Sequence, residues 1–315
     1  MNLDFFMVMS NLISLFALIA VGYIAIRSGI LKQSASSSFT SLLMKVTLPC
    51  TIFISLVSRE YDPAFINDSI TIFIAGLIAF PAMMYIARYL AKLLGVDSSY
   101  RGVWAFSCAF TNSGFMGFPI CLALFGPEGL SLSVILNIAF NLTVYTVGAI
   151  EISLDNPNHD AERISIKSII FSEINAATLI SLIFYFGKIP VPQFIASPLT
   201  YLSGITTPLS MIIIGMALAR ERGIELFTNR DAWLSTFMRL IVYPMALCLL
   251  LRFIPLGSNP LIGAVLVIVI AMPGASVTAV LCEMYHGNID FAAKVMFLQN
   301  LLCIFTIPIV CMMIA

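Results

Sequence analysis

The stretch FTNSGFMGFP, Phe110–Pro119, decides how the rest of the chain is read. It stands inside a long apolar run, yet its ten positions hold Thr, Asn, Ser, two Gly and a Pro. Gly and Pro break helices, and an Asn side chain brings an amide that must find partners. In water such a stretch would be a loop. Its flanks, however, belong in lipid.

Composition says the same of the whole chain. Of 315 residues, 60% are hydrophobic and 10% charged, and the mean hydropathy is +1.02. Soluble domains carry about 25% charged residues, so a surface this poor in charge has to face a bilayer. The formal net charge is zero, which argues against nucleic acid and against an acidic partner. The seven cysteines (Cys50, Cys108, Cys121, Cys248, Cys282, Cys303 and Cys311) lie in apolar runs without a CxxC pair. They read as small packing residues, with neither disulfides nor a metal site expected. The N-terminus lacks a basic n-region, and its apolar run is long enough to span, so it reads as a first transmembrane helix and not a cleavable signal.

Polar and Pro/Gly punctuation divides the chain into ten predicted spans: 4–27, 36–57, 66–93, 100–125, 128–153, 166–187, 195–219, 232–254, 259–285 and 290–314. The fold expected is an all-α polytopic membrane protein. Its one long polar connection is Leu154–Ser168, almost at mid-chain. Loop Lys and Arg set the orientation. Arg27, Lys32, Arg88, Lys92, Arg101, Arg163, Lys167, Arg220, Arg222 and Arg230 fall on one side, against Arg59, Lys188 and Arg252 on the other. Both termini are therefore expected outside, in a bacterial cytoplasmic membrane. Trp104 and Trp233 are expected in the cytoplasmic interfacial belt.

The two halves echo each other. TLPCTIFIS from Thr47 and TTPLSMIIIG from Thr206 place Pro49 and Pro208 159 residues apart, and the same offset pairs Ile30 with Ile189, Leu43 with Leu202 and Asn141 with Asn300. FTNSGFMGFP then corresponds to IAMPGASVT, Ile270–Thr278. Halves of five spans each enter the membrane from opposite sides, so the expected organisation is an inverted repeat: residues 1–153, a cytoplasmic linker 154–168, and residues 169–315. In that architecture the fourth and ninth helices are broken, by Asn112, Ser113, Gly114, Gly117 and Pro119 in one and by Pro273, Gly274 and Ser276 in the other. Two breaks crossing each other satisfy the backbone groups they free and aim positive helix ends at an anion. Packing kinks alone are the plainer alternative.

At these residues the chain resembles a known family. GYIAIRSGILKQSASSSFTSLLMKVTLPCTIFISL, NSGFMGFPICLALFG and AMPGASVTAVLCEMYHGNIDFAAKVMFLQNLLCIFTIPI, in that order, resemble the auxin efflux carrier family, which includes bacterial malate and malonate carriers and the plant PIN-formed auxin exporters. The resemblance spans essentially the whole chain. It implies ten helices with crossed fourth and ninth helices, similar to the bile acid sodium symporters, and it makes a homodimer plausible. It also implies that Asn112 matches the crossover asparagine that meets the substrate carboxylate, and that Pro273 matches the second crossover proline. The short linker departs from the plant exporters, which often carry a long regulatory loop there. AMPGAS holds no carboxylate, so the sodium site of the bile acid symporters is not carried over.

Asn112, with Thr111 and Ser113, is the leading ligand for substrate or ion, since an amide can donate to a carboxylate. Asn137 and Asn141 share a helix face, and Gln299 and Asn300 fall in the matching part of the tenth helix; either pathway lining or interhelical bonding suits them. Lys45 and Arg239 could attract an anion or snorkel to the interface. Glu283, His286, Asp290 and Lys294 cluster near the last turn, as a proton-coupling group or an interfacial ion-pair network. Pro49, Gly117, Pro119 and Pro208 serve helix-break geometry. No cofactor is expected, and the coupling ion, proton or sodium, is open.

The leading expectation is a secondary transporter of a small organic anion, such as a dicarboxylate or an auxin-like acid, working by alternating access. A sodium-coupled symporter of a larger organic anion and a non-transporting ligand sensor are the alternatives. An intramembrane enzyme fits poorly: histidine is limited to His159 and His286, no HExxH occurs, and no mid-span aspartate pair is present.

Overall fold

The computed structural model describes residues 5–155, 173–220 and 227–314. Residues 156–168 of the expected linker, His159 among them, and the start of the sixth expected span lie outside the described residues. The described chain is helical: α1 (Phe5–Arg27), α2 (Ala35–Leu42), α3 (Leu48–Val57), α4 (Pro63–Leu93), α5 (Arg101–Ala109), α6 (Phe118–Thr143), α7 (Ala149–Ser153), α8 (Glu173–Gly187), α9 (Gln193–Gly204), α10 (Thr206–Arg220), α11 (Arg230–Phe237), α12 (Tyr243–Phe253), α13 (Pro260–Ala271), α14 (Val277–Met284) and α15 (Ile289–Ile314).

Local chemistry explains the starts and interruptions. Asp62, Asn229 and Asn259 cap α4, α11 and α13 by accepting from the amides of Ala64, Ala232 and Leu261. Three of the four π-turns among the described residues, Leu43–Thr47, Ser113–Gly117 and Met238–Val242, each end two residues before a proline: Pro49, Pro119 and Pro244; the fourth, Val144–Gly148, has no proline at that spacing. Proline lacks an N–H and its ring crowds the carbonyl four residues back, and a wider turn relieves both. At Pro208 the relief is a break at Ile205, between α9 and α10.

Seven helical stretches among the described residues are long and apolar enough to cross a membrane. The other predicted spans are shorter or interrupted, because the breaks divide two of them and the sixth begins among residues not described. One of the seven, Ser113–Ser153, is 41 residues long, which at 1.5 Å per residue is about twice a bilayer's hydrocarbon thickness. It does not run straight. Gly126 (φ 67°, ψ −161°) turns the chain ahead of Pro127, a conformation that glycine adopts without strain.

Packing sorts the helices into two groups. Helix α1 lies mainly along α10, and α3 mainly along α8 with α9 beside it. In the other group α4 packs on α5 and α6, α6 on α13, and α11 on α15. The α1–α10 crossing is a backbone contact: a Cβ on Gly22 would stand 2.1 Å from the Ile212 carbonyl oxygen, and one on Gly215 1.9 Å from that of Ile19. Without a hydrophobic drive between helices in lipid, such small-residue crossings carry the packing. Large apolar side chains such as Phe6, Ile78, Ile183 and Phe253 remain outward-facing, as a lipid-facing surface requires.

Trp104 departs from expectation. It is fully buried, and its Nε1 donates to the Asp231 carbonyl at 2.8 Å. The indole holds α11 against α5 instead of sitting in an interfacial belt. Trp233 is 41% exposed.

Candidate functional site

The two breaks meet. Thr111 and Gly274 form an isolated antiparallel β-bridge, the Asn112 amide donates to the Pro273 carbonyl at 2.8 Å, and the Ala275 amide donates to the Phe110 carbonyl at 3.1 Å. Backbone groups freed by one broken helix are thus satisfied by the other. Side chains complete the joint. Thr111 Oγ1 donates to the Val269 carbonyl at 2.6 Å, and Ser113 Oγ donates to Asn137 Oδ1 at 2.6 Å. Gln299 Oε1 accepts the Gly274 amide at 2.7 Å, while its Nε2 reaches the Ser107 carbonyl and Ser235 Oγ.

Four half-helix ends therefore converge here. The first turns after the breaks, at Ser113 and Val277, present amides that helix geometry leaves without intrahelical partners. The last turns before the breaks belong to α5 and α13, and one residue serves both. Arg239, fully buried, donates from Nε to the Met272 carbonyl at 2.9 Å and from Nη1 to the Cys108 and Ala109 carbonyls, both at 3.1 Å. It does not snorkel.

Beside the two first turns lies a cavity of about 400 Å³ in the seam between the two helix groups. Asn112 and Phe115 border it from one break, Ser276 and Ala279 from the other, Met296 and Asn300 from α15, and Ile213 and Ala217 from α10. Gln33, Ser36 and Thr40 line its mouth, where a groove continues past Ser37 and Ser41. Among the described residues no charged side chain lines it. Asn112 uses Oδ1 to accept the Phe115 amide at 3.2 Å, and its Nδ2 has no hydrogen-bond partner among the described residues. Asn300, also in the lining, donates back from Nδ2 to the Met296 carbonyl at 2.7 Å.

Of the residues singled out in the sequence, Asn112, Ser276 and Asn300 thus share the cavity. Thr111, Ser113, Pro273, Gly274, Asn137 and Gln299 build the joint behind it, and Gly114 lies in its first turn, where an added Cβ would meet nothing within 4 Å. Gly117, on the next turn, donates its amide to the Asn112 carbonyl at 3.0 Å. Asn141 is elsewhere: its Nδ2 donates to Asn175 Oδ1 at 2.8 Å, tying α6 to α8. Lys45 is exposed and outside the cavity. Glu283, His286 and Asp290 are exposed, and the three ion pairs among the described residues (Arg59–Glu128, Arg88–Glu151 and Arg230–Asp231) include neither Glu283, Asp290 nor Lys294. Lys294 is half-buried, and none of these three groups enters an ion pair among the described residues. Sequence reasoning missed Gln33, Ser36, Thr40 and Phe115. A signal was there in SASSSFTS, Ser34–Ser41, too rich in hydroxyls for a lipid-facing turn.

Broken helices that satisfy each other at the centre of an integral, multi-pass membrane protein, beside a cavity with no charged lining among the described residues, define a membrane transporter. The family model described as membrane transport protein matches residues 7–311. The chain belongs to that family, the auxin efflux carrier family. It is 26% identical over 302 residues to an uncharacterized transporter of Methanothermobacter thermautotrophicus, covering 95% of this chain and 96% of that one. It is also 26% identical over 287 residues to an uncharacterized transporter of Methanocaldococcus jannaschii, covering 90% and 91%. Both relatives are archaeal.

Proposed function

We propose that the protein is a secondary transporter of a small organic anion, a carboxylate in the first instance, bound at the crossed breaks. The observation that carries this reading is the juxtaposition of two half-helix first turns and the unpartnered Asn112 amide nitrogen on one uncharged cavity. Each helix N-terminus is worth roughly half a positive charge, so the pair offers about one unit to an anion without any basic side chain. The amide fixes a carboxylate oxygen, and Phe115, Met296 and Ile213 take the apolar remainder.

In this reading the chain has ten spans in two inverted halves, 1–153 and 169–315, joined by the linker 154–168. Helix α1 on α10 and α3 on α8 are equivalent packings between the two halves, since the 159-residue offset relates α8 to α1 and α10 to α3. Alternating access follows from rocking these two pairs against the remaining helices. The seam is open at its Gln33 mouth. At its far end it is closed by Asn11 Nδ2 donating to the Ala123 carbonyl at 2.8 Å, Ser131 Oγ donating to the Ser55 carbonyl at 3.1 Å, and the Arg59–Glu128 pair. With the cytoplasmic membrane as host and both termini outside, the open mouth faces the cytoplasm. A homodimer is the proposed assembly.

Uptake of labelled malate, malonate and an aromatic carboxylate into proteoliposomes, by wild type and Asn112→Ala, tests the assignment. Wild-type rates for Asn112→Ala on every substrate would show that the cargo is bound elsewhere.

A further inference from the structure

Arg239 carries a full positive charge in the middle of the molecule, and among the described residues no carboxylate pairs with it. Its partners are the carbonyls of Cys108, Ala109 and Met272, the C-terminal ends of α5 and α13. A half-helix C-terminus is worth roughly half a negative charge, so the two ends and one guanidinium balance. Unwound carbonyls at the C-terminal ends of broken helices are also where transporters of this architecture hold a coupling cation. Here those carbonyls are already taken.

We propose that Arg239 is a resident cation: its guanidinium fills a latent monovalent-cation site at the crossover, and removing it opens that site to Na⁺ or K⁺. The arrangement is confined to one half of the chain. The residue 159 positions earlier is Phe80, which is buried and stacks on Phe110 with ring centroids 6.1 Å apart. Arg239 Nη2 is buried without a partner, so the pocket around the guanidinium is polar and not fully satisfied by protein atoms. The uncharged surroundings, with Tyr243 Oη donating to the Met83 carbonyl and Cys108 beside Ser235, offer no second charge to replace it. Arg239 does not line the substrate cavity; it is a positioning residue, holding both breaks in register. Its consequence for coupling rests on the transport reading above: a cargo cycle driven by Na⁺ bound at these carbonyls is closed to the wild-type chain.

The test is thermal unfolding of the purified full-length protein in detergent, without substrate, at fixed ionic strength in sodium, potassium or choline chloride. Wild type is expected to melt at one temperature in all three. Arg239→Ser is expected to melt about 10 °C lower in choline, from three charge-assisted hydrogen bonds lost, and to regain part of that loss saturably with Na⁺ or K⁺. Arg239→Lys, which keeps the charge, is expected to fall between and to ignore the salt. An Arg239→Ser variant that no alkali cation stabilises overturns the proposal, as does saturable Na⁺ stabilisation of wild type or of Arg239→Lys. Should Arg239→Ser not fold, the last two titrations decide alone. Because no cargo is present, absence of carboxylate flux would sink the transport reading and leave this result standing.

Discussion

The side-chain oxygen of Gln299 accepts the Gly274 amide at 2.7 Å, and the same oxygen lies 2.5 Å from where a Cβ on residue 274 would stand. The second break is glycine because its partner's side chain fills the space a larger residue needs. Gly274→Ala must push Gln299 away and orphan a buried amide, at a cost of about 1–3 kcal/mol. The loss is expected to vanish in context. Added to Gln299→Ala, the same substitution should cost little, because the next atom, the Ser107 carbonyl oxygen, is 3.6 Å away. Melting temperatures of the two single variants and the double variant give the coupling directly, and simple additivity would contradict the geometry.

Asn112 has two separable duties. Its Oδ1 caps the first turn after the break, worth about 1 kcal/mol, and in the proposed function its Nδ2 binds the cargo. Asn112→Asp keeps an acceptor for the Phe115 amide and replaces the donor with a negative charge. It should melt near wild type and transport no carboxylate, whereas Asn112→Ala should lose about 1 kcal/mol of stability as well. Appreciable carboxylate flux through Asn112→Asp would remove the amide from the binding step.

The α1–α10 crossing tolerates no side chain. A Cβ on Gly215 would approach the Ile19 carbonyl oxygen to 1.9 Å, so Gly215→Ala has to move a helix, at an overpacking cost of about 1–3 kcal/mol or more. Gly204→Ala is the control, since nothing lies within 4 Å of its added Cβ. A lowered melting temperature is expected for the first and none for the second. Equal effects would mean that the crossing is not held by backbone contact.

Asp155 closes the start of α5, accepting the Gly102 amide at 2.6 Å and the Val103 amide at 3.1 Å. Burial pushes its carboxyl above the ordinary carboxylate value, outweighing the two amide bonds and Arg88, which pull it down. The folded protein thus holds this proton more tightly than the unfolded chain. The associated stability is complete below the unfolded value of about 3.9 and is lost as pH rises through the folded one. Asp155→Asn cannot titrate. The melting temperature of wild type relative to Asp155→Asn should therefore fall as pH rises from about 4, and parallel curves would assign the slope to other groups.

Much of this protein is legible in its sequence, for a local reason. Hydropathy identifies a bilayer as the solvent because burial in lipid acts on each residue independently. Gly114, Gly117, Pro119, Pro273 and Gly274 mark the breaks because their effect on a helix depends only on their own backbone chemistry. Even the relation between the two breaks shows, through an offset shared along the chain. The roles of the polar side chains do not show in the same way. Asn137 and Asn141 stand on one helix face, yet one supports the crossover through Ser113 and the other binds α8 through Asn175. Lys45 and Arg239 read alike as membrane cations; one is exposed and the other is fully buried against three carbonyls, two of them 130 and 131 residues away in sequence. A hydrogen bond is a relation between two groups, and which groups meet is set by how the helices pack. By itself the sequence determined the membrane, the breaks and the candidate amide at residue 112. Only the tertiary structure decided that the helix C-termini are answered by Arg239 and that the first turns after the breaks border an open cavity, because partner choice at long range is a property of the packed chain.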